Sequence, residues 1–150
     1  MLRLSKKMLF ALEAVVDIAY NAGSNPVQSK EITRRQGIPQ RYLEQVMRRL
    51  VHAGILKGVR GPRGGYRLAR ERRRVTVGQI ARVVYDLDED NALAYPTASD
   101  LGKRVVHPMW TELQDGLMER LDTITVEDLC RRAHDANVEN ESMKRLDYTI

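Results

Sequence analysis

Apolar residues recur along this chain with the period of a helix. Met8, Leu9, Leu12, Val15, Val16 and Ala19 fall three and four apart and predict a helix from residue 5 to about residue 21. Gly23-Ser24-Asn25-Pro26 ends it with turn chemistry. Ser29 is expected as the N-cap of a second, short helix, with Glu31 in the first turn, where a carboxylate favours the helix dipole. Gly37 breaks that helix, and Pro39 suits the first position of the next. This third helix runs to about residue 52, with Leu43, Val46, Met47 and Leu50 on its buried face and Gly54 closing it. Two short apolar segments follow, 55–59 and 66–69, separated by Arg60-Gly61-Pro62-Arg63-Gly64-Gly65. Glycine supplies positive φ and proline a fixed bend, so the pattern predicts a β-hairpin with a long tip.

Arg72-Arg73-Arg74 reads as a connector, and Thr76-Val77-Gly78-Gln79 as a capping box opening a helix with Ile80, Val83, Val84 and Leu87 inward. Residues 88–99 read as polar loop. A long helix is expected from about residue 100 to 122, with Val106, Trp110, Leu113, Leu117 and Leu121 along one stripe. Pro108 is tolerated only near its start or at a kink. Thr125-Val126-Glu127-Asp128 caps a last short helix, and the polar tail after about residue 134 is expected to fray.

Charge divides the chain more sharply than its total of +5 conveys. Residues 1–85 hold 18 basic and 5 acidic side chains, and residues 86–150 hold 7 and 15. A half that basic predicts a polyanionic partner, nucleic acid first and anionic membrane second. With 150 residues, 43% of them hydrophobic, the chain is long enough for one domain's core. No stretch approaches the roughly 20 apolar residues of a membrane span. Glu13 and Asp17 interrupt the apolar segment after the basic start, so no secretory signal is expected and a cytoplasmic location is. Cys130 is the sole cysteine, which excludes an internal disulfide, four-cysteine zinc sites and a three-cysteine cluster site on one chain.

The helices around Gly37 match a helix-turn-helix. Thr33 stands four residues before the glycine, and Ile38, Leu43 and Val46 supply the contacts that hold the second helix across the first. Such a helix lies in a major groove with its N-terminal side chains at base edges, here Gln40, Arg41, Tyr42, Glu44 and Gln45, while Arg48 and Arg49 suit phosphates. Arg41 fits guanine, Gln40 or Gln45 adenine, and Glu44 a cytosine amine. Glu44 has a second reading, an intrahelical pair with Arg48. The hairpin carries Lys57, Arg60, Arg63, Arg67 and Arg70 at its tip and flanks, and an arginine on a glycine-rich tip fits a narrow minor groove. A helix-turn-helix followed by a basic wing is a winged helix. The fold class expected is mainly α with a small β-hairpin wing. Its organisation is a DNA-binding domain over 1–85, a loop and dimerisation helix over 86–133, and a tail over 134–150.

With these residues in place the chain resembles the Rrf-two (Rrf2) family of bacterial winged-helix regulators over about residues 2–133. The most specific blocks are Tyr42-Leu43-Glu44-Gln45 and Val59-Arg60-Gly61-Pro62-Arg63-Gly64-Gly65-Tyr66-Arg67-Leu68, followed by Val75-Thr76-Val77-Gly78-Gln79-Ile80 and residues 121–129. The resemblance implies a homodimeric transcriptional regulator, a repressor, on a palindromic double-stranded DNA operator. It implies recognition-helix contacts from Tyr42, Glu44 and Gln45 and a wing contact from Arg60; Ser29, Gln40, Arg41, Arg48, Arg49 and Arg63 complete the DNA-contact set read from the residues themselves. It implies dimerisation through Val106, Trp110, Leu113, Leu117 and Leu121. Gln40 and Arg41 stand where the family often has smaller residues, which bears on operator preference.

The chain departs from the family at its iron–sulfur motif. Three cysteines before the long helix hold a cluster in many members; none stands there in this chain. His107 alone matches a ligand position, and Met8 occupies the region where some members place an acidic ligand. Because clusters are held mainly by thiolates, the expectation is no cofactor and no metal. Cys130 is a structural thiol on this reading, with a redox sensor as the alternative. A module that docks on and regulates a metabolic enzyme is a second alternative, and a protein or small-molecule effector is left open. Three histidines, one cysteine and no Gly-x-Ser-x-Gly or phosphate loop offer no catalytic set, so no enzyme is expected.

Overall fold

Ser5 opens the first helix by accepting the Met8 amide on its hydroxyl at 3.1 Å. The computed structural model describes residues 5–85 and 99–141. Helix α1 (Lys6–Tyr20) is the hub, packed against the second, third, fourth and last helices and the second hairpin strand. Of the expected stripe Val15 and Ala19 are buried, Met8, Leu12 and Val16 are half-buried and Leu9 is exposed; the buried face is centred on Ala11, Ala14, Val15 and Ile18.

The second helix, α2 (Ser29–Gln36), begins one residue from expectation. Its N-cap is Gln28, not Ser29; the Gln28 amide donates to the Glu31 carboxylate at 3.0 Å. The reason lies outside the helix. Val27 exchanges two backbone hydrogen bonds with Tyr66 of the hairpin, at 3.0 and 2.8 Å, which keeps the chain extended up to Gln28. Gly37 ends α2 at φ 67, and its amide returns to the Thr33 carbonyl at 2.9 Å. That left-handed cap suits glycine because a Cβ crowds the following carbonyl there. Pro39 is the N-cap of α3 (Gln40–His52) rather than its first residue. Its extended backbone presents the carbonyl that receives the Leu43 amide at 3.0 Å.

Strands β1 (Leu56–Val59) and β2 (Gly65–Leu68) pair antiparallel, with Lys57 opposite Arg67 and Val59 opposite Gly65. A Cβ on Gly65 would run into the Val27 carbonyl, so glycine is what admits Val27 beside β2. Helix α4 (Val77–Tyr85) starts with the expected capping box, Thr76 and Gln79 each accepting the other's amide at 3.1 Å. Leu87 and the loop expected over 88–99 lie outside the described residues, apart from Ser99.

The long helix is not uniform. A π-helical turn, Gly102–Val106, precedes α5 (His107–Asp122), and the His107 amide reaches back five residues to the Gly102 carbonyl. Pro108 explains the widening: it has no amide to give, and its ring crowds the carbonyl four residues back in a regular turn. Arg82 of α4 grips Asp122 of α5 with two hydrogen bonds, 2.7 and 2.8 Å, and the guanidinium holds that carboxyl below the usual carboxylate range. Helix α6 (Val126–Asp135) is capped by Thr125 and Asp128 and packs on α1.

The tail, expected to fray from about residue 134, is placed in its described part, and residues 142–150 lie outside the described residues. Residues 136–141 turn back over α1: the Tyr20 hydroxyl donates to the Val138 carbonyl at 2.6 Å, and the Glu141 amide donates to Asn21 Oδ1 at 2.9 Å. Local polarity missed this because the anchors, Tyr20 and Asn21, sit about 120 residues away in sequence.

Candidate nucleic-acid interface

The helix-turn-helix is held by fully buried Ile38, Leu43 and Val46, the side chains its spacing predicted, together with Ile32 of α2. One bond spans the turn directly, from the Thr33 hydroxyl to Gln40 Oε1 at 3.0 Å. Beneath it lies an ion pair the sequence reading did not anticipate. Asp17 of α1, its side chain fully buried, accepts from Arg35 Nε at 2.8 Å, Arg35 Nη2 at 2.7 Å and Gln36 Nε2 at 2.8 Å. That hydrogen-bonded carboxylate raises the Arg35 pKa further, and Glu141 adds to it from the tail. The last turn of α2 is therefore locked to α1 immediately before Gly37. The only sequence signal was position: Asp17 lies on the apolar face of α1, among Ala14, Val15 and Ile18.

With its apolar side inward, α3 leaves Gln40, Arg41, Glu44, Gln45, Arg48 and Arg49 exposed on one surface. Gln40 Nε2 donates to Glu44 Oε1 at 3.2 Å, and Glu44 makes no ion pair with Arg48. Arg41, Gln45, Arg48 and Arg49 have no hydrogen bond or ion pair among the described residues. Tyr42 points elsewhere. Its hydroxyl donates to the Lys7 carbonyl at 2.7 Å and its ring packs on Phe10, centroids 5.7 Å apart, so it braces α3 against α1. Ser29 is half-buried at the start of α2.

Arg60 and Arg63 stand exposed on the wing, also without partners among the described residues. Arg67 does not join them. Its guanidinium donates to the Gly23 and Ser24 carbonyls at 3.3 and 2.6 Å, tying the wing to the loop between α1 and α2. Arg60 and Arg63 thus carry the accessible charge at the tip.

On α5 no residue is buried. Val106, Trp110, Leu113 and Leu117 are 39–58% exposed, as are Leu101, Val105 and Met109 or more so, while Leu121 is half-buried. The stripe is not core within one chain. Among the described residues no helix is long and apolar enough to cross a membrane.

The profile of the Rrf2 family, described as an iron-dependent transcriptional regulator, matches residues 4–132. The HTH-type transcriptional regulator IscR of Cronobacter sakazakii is 35% identical over 129 residues, covering 85% of this chain and 80% of that one. Among solved structures, T. potens IscR superposes with a TM-score of 0.73 at 36% identity, over 95% of this chain and 96% of the other. CymR of B. subtilis, titled the global cysteine regulator, gives 0.68 at 30% identity, over 88% and 98%.

Iron in the family's description makes the available donors matter. Cys130 is buried on α6, and burial pushes its thiol pKa up against the pull of nearby Arg72. His107 is exposed where the π turn meets α5, with Nδ1 3.4 Å from the Thr111 hydroxyl. No group of three His, Cys, Asp or Glu among the described residues is placed to hold a metal. A cluster needs several thiolates, and one buried thiol on a different helix from the histidine does not fit it. The buried thiol is likewise poor in thiolate and packed into the core, which counts against a redox role. A winged helix with a recognition surface, matched over nearly its whole length to regulators of this kind, places the chain in the Rrf2 family of transcriptional regulators, a DNA-binding family and not an enzymatic one.

Proposed function

We propose that the protein is a homodimeric repressor that reads a palindromic DNA operator without an iron–sulfur cluster. The observation that carries this reading is the set of polar side chains left without protein partners. Arg41, Gln45, Arg48 and Arg49 on α3, and Arg60 and Arg63 on the wing, are exposed and make no hydrogen bond or ion pair among the described residues. Arg41 and Gln45 suit base edges, Arg48 and Arg49 phosphates, and Arg60 a minor groove. Glu44, held by Gln40 and not by Arg48, is free to accept from a cytosine amine.

A second copy covers the stripe from Val106 to Leu117, because so much contiguous apolar surface is costly in water. Two copies related by a twofold axis present two recognition helices to two half-sites, one DNA turn of about 34 Å or a multiple of it apart, which calls for a palindromic site. A dimer seated across a promoter occludes it, and repression follows directly.

Fragments selected from the source genome, followed by binding across a salt series, test this. With about six phosphates neutralised, the log–log salt slope is expected near −5. Arg60→Ala weakens every fragment. Arg41→Ala relaxes preference at one base pair, at a cost of about 1–3 kcal/mol. Equal affinity for all fragments, unchanged by Glu44→Ala, overturns sequence-specific reading. Protein purified anaerobically is expected to be colourless, without stoichiometric iron; a coloured, iron-loaded dimer overturns the cluster-free reading.

A further inference from the structure

At the base of the wing, away from the recognition surface, a cleft of about 490 Å³ opens between the end of α1, β2 and residues 70–72. That volume is in the range of small-molecule sites, about 300–1,000 Å³. No residue of α3 lines it, and neither does Arg60 or Arg63. Its walls carry Lys57, Arg67, Arg70 and Arg72 against one carboxylate, Glu71. Two of these groups are already balanced: Arg72 pairs with Glu127, and Glu71 with Arg73 at 3.1 Å. Lys57 and Arg70 have no hydrogen bond or ion pair among the described residues, and Arg67 is held by two neutral carbonyls that fix its position without cancelling its charge.

A second observation points the same way. Lys57 and Arg67 stand directly opposite each other in the antiparallel ladder. Like charges so placed destabilise a hairpin, and a bound anion between them reverses the sign. Tyr66 adds a ring, and Asn25 and Asn140 add amide groups to the lining. We propose that this cleft binds a small phosphorylated metabolite carrying at least two negative charges. Because Arg67 also tethers the loop between α1 and α2, the occupant sits against the segment that sets where α2 begins.

Inorganic pyrophosphate is the probe. Thermal unfolding of the full chain without DNA is followed as pyrophosphate is added, against sodium chloride at matched ionic strength, with titration calorimetry for stoichiometry. A saturable rise in Tm with one site per chain is expected, lost in Lys57→Gln/Arg70→Gln and kept in Lys103→Gln/Arg104→Gln, which removes the same charge elsewhere. No saturable rise, or equal loss in both double variants, overturns the proposal. So does a wild type that ignores pyrophosphate while Lys57→Gln/Arg70→Gln lowers the DNA salt slope by about 2, since those cations then serve backbone phosphates. Failure of DNA binding in the wild type leaves this outcome unaffected, so the two readings fail separately.

Discussion

Asp17 shows how much one side chain sets at the residue scale. Its carboxylate is buried without solvent contact and accepts three hydrogen bonds, from Arg35 twice and from Gln36. Removing one partner of a buried pair leaves the other uncompensated, at a cost of about 3–5 kcal/mol. Arg35→Ala is expected to lower stability by about 3 kcal/mol in a denaturant titration, more than Asp17→Ala, because it strands the fully buried Asp17 carboxylate with Gln36 alone, whereas an Arg35 without Asp17 reaches partial solvent and retains Glu141. Equal effects would show that the pair is not held as described. The sequence carried Asp17 only as a charge interrupting an apolar run; that it faces the protein's interior follows from helical phase, but its partner 18 residues away does not.

At the scale of elements, the contact between α4 and α5 decides where the long helix projects. A Cβ on Gly78 would overlap the Asp122 carboxylate and press on its backbone amide. Gly78→Val is therefore expected to push α5 off α4 and break the Arg82–Asp122 pair, at about the 1–3 kcal/mol typical of overpacking. The checks are the thermal midpoint and proteolysis at the α5 junction; an unchanged midpoint would mean that α5 is held by other contacts. Helix boundaries here were legible from periodicity and caps to within a residue or two. Two exceptions have tertiary causes. Gln28 replaces Ser29 as N-cap because the wing holds Val27. Tyr42 turns from the recognition surface to α1 because Phe10 and the Lys7 carbonyl lie within its reach. The π turn is a local effect, since Pro108 forces a widening that a period count reads as continuous helix.

For the whole molecule, the exposed apolar stripe on α5 is the surface that bears on assembly. Leu113→Glu/Leu117→Glu places two charges on it without touching the core, as both are more than half exposed. The variant is expected to sediment as a folded monomer with an unchanged far-ultraviolet spectrum, and to lose operator affinity by about the product of two half-site interactions. A dimer that survives the substitution would move the interface elsewhere. The charge division has a physical sense at this scale: the basic half presents α3 and the wing, and the acidic half carries the long helix and the segment strapped over α1.

By itself the sequence determined the helix-turn-helix, the hairpin behind it, the faces that go inward and the basic surface left outside. These follow from local periods, turn residues and charge counts, which act over a few residues. Tertiary structure alone decided which of the exposed groups are free. It tied Arg67 to the Gly23 and Ser24 carbonyls, turned Tyr42 inward, buried Cys130, fastened the tail through Tyr20 and Asn21, and gathered Lys57 and Arg70 into one cleft. Those outcomes rest on pairings between residues far apart in the chain, whose geometry no local pattern contains.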